Sequence, residues 1–336
     1  MTLFLPLLLA LLLPLAAVGG LTSSYNPMGT HPKSGGGAEP NIMVEVVIPS
    51  DGYTLQTSVI HGVDTYVVFG DGTAPELWTA GKPEHTYALR GTYNITVTGD
   101  ITEFGVRMYP ANDTWKHCVT RVLSFDSPVP MDTYQSFAGC TNLTYFSGWG
   151  DNVISANSTF NGCVSLGNLP PWGERITSAS SCYRYCTSLT GLVPPFGVSI
   201  TNAYGTFYGC SGLEGFAADF SWNNVEIAGT ATTDSGCFHG CTSLAGAVPP
   251  WGEKLTSVAR CYYHCSALSG NIPPWGPNIV NAQNTYTYCS HLTGVWDGAT
   301  DADLMPERIT SFRSCVLYTT SSLRAFFTSG WGGTKQ

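Results

Sequence analysis

Cysteine is the residue type in this chain best placed to do chemistry. Seven of the twelve, Cys140, Cys163, Cys186, Cys210, Cys241, Cys265 and Cys289, follow one another at intervals of 23, 23, 24, 31, 24 and 24 residues. Four more, Cys182, Cys237, Cys261 and Cys315, fall four residues ahead of a position in that series, and Cys118 stands apart. The C-x-x-x-C pairs 182/186, 237/241 and 261/265 lack the C-x-x-C spacing of zinc sites, and neither His239 nor His264 completes a tetrahedral set. No metal and no cofactor is therefore expected. Stacked at a fixed period, such cysteines serve either as small buried hydrophobes or, in an exported chain, as disulfides. The second reading makes Cys182, Cys186, Cys237, Cys241, Cys261, Cys265 and Cys315 the disulfide candidates, with connectivity open.

Other chemistry is sparse. There is no G-x-S-x-G elbow, no H-E-x-x-H and no phosphate-binding glycine loop, so an enzyme is not expected. The acidic cluster Asp297, Asp301, Asp303 and Glu307 lacks the glycine and closing Glu of a calcium loop and reads as solvated. Asp71 reads as a carboxylate capping its own turn rather than as a metal ligand. Four Asn-x-Ser/Thr sequons, at Asn94, Asn112, Asn142 and Asn157, are glycosylation candidates in a glycosylating export pathway. Trp149, Trp172, Phe196, Trp251 and Trp275 recur once per period as a row that could stack on sugars or grip a protein, or pack as a spine. Trp222 lies in the one long interval, where Phe216 to Thr233 carries seven residues beyond the period. Insertions in repeats map to loops, often on the binding face, so Trp222 is a possible loop contact.

The elements that position these residues are repeats. Three residues before each cysteine of the series is an aromatic (Phe137, Phe160, Tyr183, Phe207, Phe238, Tyr262, Tyr286), and three after it a leucine (Leu143 to Leu292). Units open on Ile176-Thr-Ser-Ala179 and its equivalents and close on corners such as Pro170-Pro-Trp-Gly173 and Pro249-Pro-Trp-Gly252. About 24 residues accommodate a short strand, a brief helical or 3₁₀ turn and a Pro-Gly corner, with aromatic, Cys and Leu all in the core. An eighth, decayed unit runs from Ile309 through Cys315 to Leu323.

The rest of the chain bounds the setting. Charged residues are 11% of 336 and the net charge is −9, against roughly 25% charged in an average soluble domain. Nothing is basic enough to track a phosphate backbone, so nucleic acid is not an expected partner. Residues 1–20 are apolar and end in small residues, which reads as a signal peptide or, uncleaved, as an apolar anchor and the one route to a membrane. Residues 21–40 read as a flexible linker, 41–104 as a small β module, 105–130 as a connector and N-terminal cap, and 131–336 as the repeat array with its C-terminal cap.

Two family resemblances follow. Phe69-Gly-Asp-Gly-Thr73, His85-Thr-Tyr87 and Gly91-Thr-Tyr93 ahead of an alternating strand resemble the PKD-type module, which implies an immunoglobulin-like β-sandwich acting as a spacer. The Ile-Thr-Ser-Ala, aromatic, Cys and Leu template over Met131 to Leu323 resembles leucine-rich repeats of the Bacteroides-surface-protein (BspA-like) type. The Pro-Pro-Trp-Gly corners and the extra cysteines depart from that pattern. The expected fold class is mainly β, a small immunoglobulin-like sandwich followed by a leucine-rich-repeat-like solenoid. The expected function is that of a secreted or cell-surface protein whose solenoid binds a protein or glycan partner, as an adhesin does. The alternative is a structural subunit self-associating into an extracellular fibre or a virion appendage, its apolar arm retained.

Overall fold

The computed structural model describes residues 41–57, 59–81, 84–105, 114–230, 235–295, 309–322 and 324. The signal-peptide and linker readings of residues 1–40, the sequon at Asn112 and the acidic cluster 297–307 lie outside them. Among the described residues no helix is long and apolar enough to cross a membrane.

Strict alternation builds the first strand: in β1 (Ile42–Ile48) Ile42, Val44, Val46 and Ile48 are buried while the residues between face outward. The chain continues through β2 (Tyr53–Gln56), β3 (Val59–Val68), β4 (Glu76–Gly81), β5 (Glu84–Tyr87) and the long β6 (Gly91–Gly105). A helical turn, α1 (Trp115–Cys118), buries Trp115 and leads into β7 (Val119–Phe125). β1 lies between β6 and β7, antiparallel to both; β3 flanks β6 and β4 flanks β3, while β2 and β5 pair separately.

This front module and the repeats form one continuous sheet. β6 passes to β8 (Met131–Asp132) through the parallel pair Glu103/Asp132, and β7 passes to β9 (Tyr145–Phe146) through Arg121/Tyr145 and Val122/Phe146. From there the chain winds as a β-solenoid of about seven turns over residues 121–295. One parallel ladder runs the length of it, from Met131/Val153 to Ser155/Ser178, Ser178/Asn202, Asn202/Ile227, Ile227/Ser257, Ser257/Asn281 and Asn281/Ser311. β10 (Val153–Ser155) is the first full rung of that ladder.

The segment carrying the aromatic and the cysteine is neither strand nor helix. In the turn of Cys163, the amides of Thr159, Asn161 and Cys163 bond back three residues, to Ala156, Ser158 and Phe160. The alternate amides of Ser158, Phe160 and Gly162 reach forward to the carbonyls of Ser180, Cys182 and Arg184 in the next turn, at 2.8, 2.9 and 2.7 Å. Left-handed residues make this alternation possible, one five residues before the cysteine (Gln135, Ser158, Ser181, Arg260, Asn284) and one immediately before it (Gly139, Gly162, Tyr185, Gly209, Gly240, His264, Tyr288). The backbone donors of this segment are thus satisfied, half within the turn and half between turns.

The core is two columns of rings. The aromatics three before each cysteine stack face to face, as in Phe160–Tyr183 (5.5 Å, 9°), Tyr183–Phe207 (5.7 Å, 4°) and Phe207–Phe238 (5.4 Å, 6°). The corner rings form the second column: Trp149–Trp172 at 6.0 Å, Trp172–Phe196 at 5.9 Å, Phe196–Trp222 at 5.5 Å, Trp222–Trp251 at 5.8 Å and Trp251–Trp275 at 6.2 Å.

Burial decides between the two readings of the corner row and changes that of Trp222. Trp172, Phe196, Trp251 and Trp275 are at most 9% exposed and Trp149 is half-buried, so the corner row is an internal spine, its ring faces occupied by neighbouring turns. Trp222 is not a loop contact but the corner ring of its own turn, 1% exposed. The long interval is accommodated mainly elsewhere, by six extra residues between Ala228 and Phe238, pinched at their base by the Gly229–Gly236 bridge.

Candidate functional site

The cysteines come first, because their spacing suggested chemistry. All twelve are buried free thiols, so Cys182, Cys186, Cys237, Cys241, Cys261, Cys265 and Cys315 form no disulfides. The reason is the repeat itself. Equivalent positions on successive turns project side chains in the same direction, whereas a disulfide needs Cβ vectors that converge. Thiols of the 23–24-residue series bond to backbone carbonyls instead. Cys163 Sγ donates to the Phe137 carbonyl at 3.0 Å, Cys186 to Phe160 at 3.1 Å, Cys241 to Phe207 at 3.1 Å and Cys265 to Phe238 at 2.9 Å, always to the ring residue of the preceding turn. Burial pushes these thiols well above the ordinary range, and Cys315 up to about 12. Thiols held protonated are poor nucleophiles and poor metal ligands.

In the front module Asp71 binds its own turn. Its Oδ1 accepts from the Thr73 amide at 3.1 Å and the Thr73 hydroxyl at 2.6 Å, and its Oδ2 pairs with His85 Nε2 at 2.7 Å. Burial raises the Asp71 pKa, but the bonds from Thr73 and His85 outweigh it and hold the group at about 2. His85 stacks on Phe69 at 4.3 Å, and Tyr87 donates its hydroxyl to the Phe69 carbonyl at 3.0 Å. The cluster fixes a turn, and both carboxylate oxygens are engaged.

Of the sequons, Asn94 is exposed on β6, and Asn142 is exposed with its Nδ2 donating to the His117 carbonyl at 2.8 Å. Asn157 is half-buried, its Oδ1 accepting from the Ser178 hydroxyl at 2.6 Å and the Ser180 amide at 3.1 Å.

The surface feature with binding chemistry is one that the spacing analysis did not single out. Over the back half of the array at least one of the two residues just before the cysteine position, which Thr319 fills in the last unit, is a partly exposed ring: Tyr185 with Arg184 beside it, Tyr208, His239, Tyr263 with His264 beside it, Tyr288 and Tyr318. Tyr185, Tyr288 and Tyr318 are 43, 38 and 53% exposed. The rings touch from turn to turn: Tyr185–Tyr208 at 5.1 Å, Tyr208–His239 at 4.4 Å, His239–Tyr263 at 4.6 Å, Tyr263–Tyr288 at 5.4 Å and Tyr288–Tyr318 at 4.6 Å. The Arg184 guanidinium lies over Tyr208 at 4.4 Å and Tyr185 at 5.1 Å. Gly209 is required here: at φ +73° it sits under the Tyr185 ring, and a Cβ on it would fall 2.7 Å from Tyr185 Cδ1.

Electrostatics follow the same line. The hydrogen bond and charge of Arg184 hold the Tyr185 phenol below its ordinary range, against the effect of burial. Burial pushes His239 down to about 4, with the neighbouring His264 and Arg184 charges adding to it. The base of the insertion lies beside this row, where Arg184 Nη1 donates to Ser235 Oγ at 3.4 Å.

No family model, no curated protein and no solved structure matches the chain.

Proposed function

We propose that this chain is a non-enzymatic, secreted or cell-surface protein that binds a protein or glycan partner through the outward row of its solenoid. The observation that carries the reading is the continuous run of rings from Tyr185 to Tyr318, half-exposed on a backbone whose turns are cross-bonded. Rings so held lose little conformational freedom on binding. The low charge content and the apolar residues 1–20 support export. At a finer level we read the array as a relative of BspA-like leucine-rich repeats and the front module as PKD-like. The Phe69, Asp71, His85, Tyr87 cluster supports the latter and the shared aromatic, Cys and Leu template the former.

The test is a panel of immobilised glycans and extracellular proteins probed with the full chain and with the double variant Tyr185→Ala/Tyr288→Ala. Binding by the parent chain that the double variant loses, at an unchanged melting temperature, supports the reading. Binding that the double variant retains against every partner sinks it.

A further inference from the structure

We infer that the outward row takes an anionic, linear glycan lying along the solenoid axis across the turns of Tyr185 to Tyr318. This rests on the binding reading above and narrows it to one ligand chemistry.

The ring geometry separates this row from the two internal columns. Internal neighbours are parallel, within 4–9° in the column running from Phe137 to Tyr286, so each covers the faces of the next. Outer neighbours from Tyr185 to Tyr288 are tilted or crossed, at 80° for Tyr185–Tyr208, 42° for Tyr208–His239, 48° for His239–Tyr263 and 77° for Tyr263–Tyr288, and only the terminal pair Tyr288–Tyr318 is parallel, at 4°. Crossed rings leave faces open to solvent, and an open, half-buried ring face is the platform on which the apolar face of a sugar ring packs. Successive turns of a β-solenoid are about 4.8 Å apart, so the six turns carrying the row span about 24 Å, room for several sugars in line.

Charge selects the kind of sugar. The chain carries −9 overall, yet the six stretches Ser181–Ser188, Gly205–Gly212, Gly236–Ser243, Arg260–Ala267, Asn284–His291 and Ser314–Ser321 contain no Asp or Glu. They contain Arg184 and Arg260 instead, with His264 and His291 beside them, while His239, held neutral by burial, adds a ring and no charge. A guanidinium already lying over Tyr185 and Tyr208 presents its remaining donors to a carboxylate or sulfate on a chain resting against those rings. Sparse cations among many rings and hydroxyls fit a chain with an occasional charge. A nucleic acid, with one charge per ~1.7 Å of duplex axis, calls for a denser lysine and arginine track.

The experiment titrates the full chain with a polygalacturonate oligomer, with its carboxyl-reduced neutral counterpart, with dextran sulfate and with an oligothymidylate of matched length. Binding to polygalacturonate or dextran sulfate should exceed that to the neutral chain at least tenfold and fall with added NaCl. Tyr288→Ala and Arg184→Gln should each weaken it at least fivefold with the melting temperature unchanged. Tyr288→Phe and Tyr145→Ala, the latter an exposed ring outside the row, should leave it intact. Equal binding of the neutral chain, still lost in Tyr288→Ala, overturns the anionic assignment and leaves the broader reading standing. Tighter binding of oligothymidylate overturns it in favour of nucleic acid. No binding of either anionic glycan, or binding unmoved by Tyr288→Ala and Arg184→Gln, overturns it outright.

Discussion

The thiol of Cys210 donates to the backbone carbonyl of Tyr183 at 2.9 Å, linking one turn of the solenoid to the ring residue of the turn before. The same bond recurs from Cys289 to Tyr262 at 2.9 Å. The cysteine series is thus a column of inter-turn hydrogen bonds. Substituting Cys210→Ala removes the donor and opens a small cavity at a fully buried site, which should cost about 1–3 kcal/mol in urea unfolding. Cys210→Ser, a smaller but competent donor, should cost less than Ala. The protected thiols also set a chemical expectation: a thiol reagent should label the native chain negligibly and label twelve cysteines on unfolding. Labelling of fewer than twelve after unfolding would reveal disulfides and remove the hydrogen-bonded column as the explanation of the series.

The corner column predicts a contrast between two aromatic deletions. Trp251 is 7% exposed and stacks on both Trp222 and Trp275. Trp251→Ala should therefore cost about 3–5 kcal/mol and broaden or split the unfolding transition. Tyr288→Ala, at an exposed site, should cost under about 1 kcal/mol. Chemical denaturation of the two variants beside the parent chain reads both values, and equal costs would contradict the division into spine and surface.

That division shows what a period can and cannot reveal. The 23–24-residue interval and the aromatic, Cys and Leu template were enough to place those residues in the core, because a unit this short has nowhere else to bury them. The corner tryptophans obey the same period, and period alone does not say whether a repeated ring faces in or out. The outward row is harder still. Its residues alternate between two positions of the unit and change type from Arg to Tyr to His, so no single column of the repeat shows them. Part of it shares a backbone feature: Tyr185, His264, Tyr288 and Tyr318 sit at positive φ, where the other units, including those of Tyr208 and His239, place glycine. Non-glycine residues at a glycine position were the signal available in the sequence.

Acid should test His239. Its pKa is pushed to about 4 in the folded chain from an ordinary value of 6.5, so between those values the unfolded chain binds the extra proton and the folded chain does not. Stability from this group is therefore complete above about pH 6.5 and is lost as pH falls to about 4. Melting temperatures of the parent chain and His239→Gln, taken at intervals from pH 7 to 4, should diverge at the top of that range and converge at the bottom. Parallel curves would mean that the imidazole is not held neutral.

Asp71 should act lower on the scale. Its folded pKa of about 2 lies below the ordinary 3.8 because the bonds from Thr73 and His85 outweigh the effect of burial. The stability it supplies is present above about pH 3.8 and disappears as pH falls towards 2. Asp71→Asn should thus be less stable than the parent chain at pH 5 and approach it at pH 2.5. A constant difference across that range would assign the loss to the turn geometry rather than to the charge.

The insertion offers the sharpest test of the repeat register. Ala228 and Phe238 occupy the positions that Ala179 and Tyr183 hold two turns earlier, with ten residues of separation in place of four. Gly229 bridges Gly236, and the Cys237 amide donates to the Ala228 carbonyl at 2.6 Å, so the excursion closes on itself before the turn resumes. Deleting Gly229 to Asp234 leaves Ala228-Ser-Gly-Cys-Phe238, which matches Ala179-Ser-Ser-Cys-Tyr183 in type at four of five positions, with Gly236 in the place of Ser181. The shortened chain should fold with a stability within about 1 kcal/mol of the parent, since loop entropy changes slowly with length. Because Ser235 accepts from Arg184, the deletion also probes whether the insertion shapes the tyrosine row. A folded deletion variant with altered glycan affinity would place the insertion on the binding face. A variant that does not fold would mean that the inserted residues hold the turn together, and that the match to the regular repeat is only one of sequence.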